Sequence, residues 1–144
     1  MRRRTLLLVV TLLAVGCSQS SGVLSVVDSW APTTPPNAPT AVIYLTIDNG
    51  TGTGDRLVGV ETDRCATTEL HATQIDDENI MRMRLAEPAL LEIPSDEALE
   101  MIPGGLHVMC IDPPTPFVEG ESLELTVTLE NAGPIDVTTP VENR

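Results

Sequence analysis

Both histidines of the chain, His71 and His107, fall within residues 71–109, together with Met81, Met83, Met101 and Met109, which are all the methionines except Met1. Thioether sulfur is a soft, polarizable ligand that suits Cu(I), and neutral imidazole serves copper in either oxidation state. A His/Met set gathered into about a quarter of a chain therefore points to copper. In an extended strand residues i and i+2 share a face, so His107 and Met109 of H-V-M project together, as do Met81 and Met83 of M-R-M. Two such strands plus His71 supply four convergent ligands. Each residue also has an ordinary reading when taken singly. Methionine is common core filler, and a lone histidine is usually satisfied by hydrogen bonds. The joint clustering is what favours a site.

Three cysteines accompany this set. Residues 1–16 carry three arginines and an apolar run over 6–15, the pattern of a removable export signal. The run is too short to favour a stable transmembrane helix. The Ala14-Val15-Gly16-Cys17 end resembles a bacterial lipobox, in which Cys17 is acylated and becomes the new N-terminus; a plain secretory signal cleaved near Gly16 is the alternative. Either way the domain is exported, anchored to the outer face of the cell membrane as a lipoprotein or periplasmic. Cys65 and Cys110 are then an even pair in an oxidising compartment, which favours a disulfide. The competing reading puts one thiolate in the copper site. Strand parity sets Cys110 on the face opposite His107 and Met109, whereas Cys65 shares parity with His71.

Loss of residues 1–16 removes Arg2, Arg3 and Arg4 and takes the formal charge from −13 to −16 over the remaining 128 residues. The chain contains no lysine. Nucleic acid is excluded as a natural partner, because phosphate binding requires clustered positive charge. The acidic surface reads first as a solubility device, and second as a field that steers a cation.

The elements that must position the ligands are strands. Residues 17–22 form a small, polar tether, and residues 23–30 read as a first strand ending in a buried Trp30. The proline-rich stretch 31–40 is a loop. A strong strand over 42–47 is closed by a turn at 48–50. Strands follow over 56–61 and 67–73, and the second of these carries His71. The turn at 76–79 lets residues 81–85 fold back beside it as a hairpin. Short strands over 90–93 and 98–102 precede Pro103-Gly104-Gly105, a tight turn that delivers His107 and Met109. The late strands 122–130 and 135–141 alternate well, with Leu123, Leu125, Val127 and Leu129 on one face. No segment holds a helical period. Many short strands between Gly/Pro turns predict an all-β, two-sheet sandwich in a single domain over 23–141.

The series Asn49, Asp55-Arg56-Leu57-Val58-Gly59-Val60, Glu69-Leu70-His71, Met81-Arg82-Met83-Arg84 and Pro103-Gly104-Gly105-Leu106-His107-Val108-Met109 resembles the PCu(A)C family of periplasmic copper chaperones over roughly residues 22–141. The resemblance implies a cupredoxin-like sandwich with His71, Met83, His107 and Met109 as Cu(I) ligands and Met81 as the substitute for Met83. Family members often carry a methionine just after the first histidine. Here Ala72 and Thr73 follow, so His71 itself has to ligate. The resemblance further implies supply of copper to the CuA centre of cytochrome c oxidase, alongside thioredoxin-like Sco proteins. Cys65 and Cys110 lie outside the motif.

The expectation is therefore a non-enzymatic, membrane-tethered carrier of one Cu(I) that passes its ion by ligand exchange. Thioethers stay neutral and do not form disulfides, so such a site survives outside the cytoplasm. Two rivals stand beside it. A cupredoxin-type electron carrier needs a thiolate and two imidazoles in one shell, and Cys110 is followed by Ile-Asp-Pro-Pro with no histidine nearby. An exported interaction module with no metal is the other.

Overall fold

The computed structural model describes residues 21–144, so the predicted leader over 1–16, the acylated Cys17 and residues 17–20 of the tether lie outside the described residues. Within them, ten strands form two antiparallel sheets. In chain order these are β1 (Ser21–Trp30), β2 (Thr40–Thr51), β3 (Asp55–Glu61), β4 (Thr67–Ile75), β5 (Met81–Leu85), β6 (Glu92–Ile93), β7 (Glu97–Glu100), β8 (Leu106–Ile111), β9 (Ser122–Leu129) and β10 (Gly133–Pro140). One sheet runs β1-β2-β8-β4-β5, with β7 also paired to β2; the other runs β10-β9-β3-β6. The expected all-β sandwich is the fold the chain adopts.

Period-two alternation explains the core. Leu123, Leu125, Val127 and Leu129 of β9 are buried, and from the other sheet come Ala41, Ile43, Leu45 and Ile47 of β2 with Val108 and Cys110 of β8. Phe117 is the one fully buried aromatic ring among the described residues. Each such Leu, Ile or Val contributes about 1.5–3 kcal/mol on leaving water, so an aliphatic core suffices. Met101 is buried in this core, which gives it the filler role rather than a place among the ligand candidates.

Three local expectations are corrected. The turn expected at 48–50 is absent, because β2 continues to Thr51 with Asp48 and Asn49 paired to both β1 and β7. Asn49 is fully buried, and its amide group donates to the carbonyls of Thr53, Ile93 and Pro94 while its oxygen accepts from Thr51. A polar residue is tolerated there because both ends of its amide are satisfied. Of the strand expected over 90–93, the first half belongs to a 3-10 turn, Pro88–Leu91, and the second half is the two-residue β6. Pro88 sits at its start, where a missing N–H costs nothing. Trp30 is half-buried, stacked on Tyr44 with ring centroids 4.7 Å apart and capped by the Arg144 guanidinium at 5.4 Å.

Asp55 locks the start of β3 to the β9–β10 turn. Its carboxylate accepts the N–H groups of Arg56, Asn131 and Ala132. Partial burial pushes this carboxyl up, but the three backbone donors together with the Asn131 amide hold it below its ordinary range. Asp55→Ala is expected to cost about 1–2 kcal/mol, since hydrogen bonds to a charged group are worth more than neutral ones but this one is partly solvated. A depressed carboxylate contributes stability above its unfolded pKa of about 3.9 and loses it as the pH falls through the folded value. Urea unfolding at pH 7 and at pH 3 checks this, with the gap between wild type and variant narrowing in acid.

Candidate metal centre

Two turns set the register of the site. Ile102-Pro103-Gly104-Gly105 is closed by the Gly105 N–H donating to the Ile102 carbonyl at 2.9 Å, and Gly104 has φ +78°. Proline followed by a left-handed glycine is the pattern of a type II turn, and it launches β8. At the other end, the Asp76 carboxylate accepts the N–H groups of Glu78 and Ile80 and pairs with Arg82, while Asn79 takes φ +61°. The Arg82 guanidinium, aided by those N–H groups, holds the Asp76 carboxyl below its ordinary range. This turn folds β5 onto β4.

With that register His71 stands directly opposite His107, Glu69 opposite Met109, Thr73 opposite Met83, and Ile75 opposite Met81. Directly paired residues share a face, so His71, His107, Met109, Met83 and Met81 all lie on the outer face of the sheet. The imidazole centroids are 6.0 Å apart, at 60° to one another. Met83 and Met109 are each one diagonal step from His71, at about 7–8 Å between backbones, a separation that long side chains span. They differ in setting: Met109 is buried and Met83 is 59% exposed. Met81 lies four residues along the strand from the His71 row, about 13 Å at 3.3–3.4 Å per residue, and is likewise exposed.

Each histidine has one ring nitrogen engaged and the other buried without a partner. His71 Nε2 lies 2.8 Å from Glu69 Oε2, and His107 Nδ1 lies 3.0 Å from the Gly105 carbonyl oxygen. A carboxylate and a carbonyl can only accept, so these nitrogens carry the protons. His71 Nδ1 and His107 Nε2 are left as buried lone pairs with no hydrogen-bond partner. An imidazole held through one nitrogen by a carboxylate or carbonyl, with the other free, is the arrangement found around bound metals. No group of three His, Cys, Asp or Glu side chains that could hold a metal occurs among the described residues; the further ligand-type side chains a diagonal step from His71 on this face are the thioethers of Met83 and Met109, which suit a soft ion.

Cys65 and Cys110 form a disulfide, with Cα atoms 5.4 Å apart. Cys110 faces the core, away from the imidazoles. Sequence reasoning missed the two orienting groups, Glu69 and Gly105. Both sit two residues before a histidine, in E-L-H and G-L-H, so shared strand parity was the available signal.

The family model of the LpqE-like proteins, a lipoprotein family by its description, matches residues 24–141. No protein with a curated description matches. Among solved structures, the copper-bound PCuAC domain from PmoF2 is similar at a TM-score of 0.68 and 23% identity, over 85% of this chain and 95% of that one. The apo PCuAC domain from PmoF1 gives 0.66 and 22%, over 85% and 96%. The solution structure of apo-DR1885 from Deinococcus radiodurans gives 0.63 and 20%, over 100% and 95%. At these identities the likeness establishes a shared sandwich fold.

Proposed function

The chain belongs to the LpqE-like family, and from that premise we propose that it is an extracytoplasmic copper chaperone, holding one Cu(I) at His71, Met83, His107 and Met109 and releasing it by ligand exchange. The observation that carries this reading is the pair of buried, unpartnered imidazole nitrogens on directly opposed strand positions. Two similar structures, the PmoF2 domain and DR1885, hold copper, the second as Cu(I). Neutral ligands would leave the ion's single positive charge largely intact, so the site needs no catalytic acid or base to let it go. Both histidines must be neutral to ligate, so affinity falls on acidification.

The finer parts of the reading rest on the resemblance in the sequence. Acylation of Cys17 would tether the domain to the outer face of the cell membrane after loss of residues 1–16, with residues 17–22 as spacer. The CuA centre of cytochrome c oxidase, with a Sco-like protein, is the proposed destination. Among the rivals, an electron carrier of the blue-copper type lacks a free thiolate among the described residues, since Cys65 and Cys110 are joined. A metal-free module leaves the two orphaned nitrogens without explanation.

X-ray absorption on the Cu(I)-loaded protein tests the ligand set. Two sulfur and two nitrogen neighbours are expected, and a shell without sulfur would sink it. Met83→Ala should remove one sulfur and Met81→Ala none, because the strand register sets Met81 a further two residues from His71.

A further inference from the structure

Resting on the copper-chaperone reading, we propose that Glu69 is a positioning residue that fixes which nitrogen His71 offers the metal, so that the two imidazoles meet the ion through unlike atoms, Nδ1 of His71 and Nε2 of His107. The two rings are oriented by opposite edges. Glu69 Oε2 takes the proton side of His71 at Nε2, 2.8 Å away, whereas the Gly105 carbonyl takes that of His107 at Nδ1, 3.0 Å away. A neutral imidazole carries one proton, so the bond made by one nitrogen decides that the other is the donor to a metal. Each remaining nitrogen is buried and has no partner.

The setting of Glu69 suits this role. It lies two residues before His71 on the same strand face and directly opposite Met109. Its side chain is 41% exposed, so the carboxylate reaches His71 from the solvent side of the sheet and water can complete its remaining hydrogen bonds. Among the described residues its carboxylate makes no ion pair with arginine; Arg56, Arg64, Arg82 and Arg144 pair with other carboxylates. Its side-chain hydrogen bond goes to His71. The Gly105 carbonyl is fixed differently, by also accepting the N–H of Thr73 at 3.1 Å. A backbone group holds one ring, and a replaceable side chain holds the other.

Long-range proton–nitrogen NMR of the copper-free, nitrogen-labelled protein reads the tautomers directly. His71 is expected with its proton on Nε2 and His107 with its proton on Nδ1. In Glu69→Ala the His71 ring is expected to become a mixture of tautomers, with Cu(I) affinity by chelator competition falling about 10–100-fold, the usual cost of losing an outer partner. Glu69→Gln keeps an amide oxygen that accepts the same bond, so it is expected to stay within about threefold of wild type. The same tautomer on both wild-type histidines, unchanged affinity in Glu69→Ala, or a loss in Glu69→Gln as large as in Glu69→Ala each overturns the positioning role. His71→Ala separates the two levels: weakened binding there beside an unaffected Glu69→Ala rejects the positioning role alone, whereas a wild type that takes up no Cu(I) rejects the chaperone reading as well.

Discussion

Cu(I) binding is expected to weaken by at least about 100-fold in His107→Ala, at or above the upper end of what losing an outer partner costs. Three features single out this residue. It is 3% exposed, its ring is aimed by the Gly105 carbonyl, and its free Nε2 is buried without a partner. The ring is therefore held in place before the ion arrives, and no neighbouring imidazole except His71 can replace it. Met83→Ala should be milder, since Met83 lies exposed at the sheet edge and must give up mobility to ligate. Met109→Ala should fall between the two, because its thioether is buried at the site but thioether is the weaker donor. Chelator competition at pH 7 measures all three, and unfolding midpoints without copper confirm that each variant is folded. An affinity for His107→Ala within threefold of wild type would move the site elsewhere.

The difference between Met81 and Met83 marks where the sequence stopped being sufficient. Parity along one strand is fixed by the pleat, so H-V-M and M-R-M could be read as shared faces from their letters. Pairing across strands is another matter, because a one-residue slip sends every side chain to the opposite face. That His71 meets His107 depends on where the Pro103-Gly104 turn and the Asp76 turn place their strands. Neither register is written in any single residue. The sandwich was legible because β9 alternates without interruption and the Pro/Gly stretches separate the strands. Asn49 was misread because asparagine beside glycine usually signals a turn; here strands on both sides and an enclosed amide network keep it in β2. Met101 carried the same ligand-type side chain as the others, and only its burial in the core removes it from consideration.

Loss of the Cys65–Cys110 bond is expected to lower stability by about 4 kcal/mol on the chain-entropy account of cross-links. The bond closes a 45-residue separation in sequence, and that span contains all of β4, β5, β6 and β7. Without it the unfolded chain gains the freedom of the whole loop, while the folded chain keeps its β4–β8 ladder, in which Thr68 pairs with Cys110. The paired variant Cys65→Ala with Cys110→Ala is the suitable test, since serine at the fully buried position 110 would add the separate cost of an enclosed hydroxyl. The thermal midpoint should fall by roughly 10–20 °C for a domain of this size, and reduction of the wild type by a dithiol should reproduce the fall. Copper affinity at 25 °C should change little in comparison, because both sulfurs lie off the imidazole-bearing face and the strand pairing that opposes His71 to His107 is made by backbone hydrogen bonds. A variant that kept its midpoint would mean that the β4–β8 pairing holds this end of the sandwich without the cross-link. A variant that kept its fold but lost Cu(I) would mean that the cross-link itself sets the spacing of the two imidazoles.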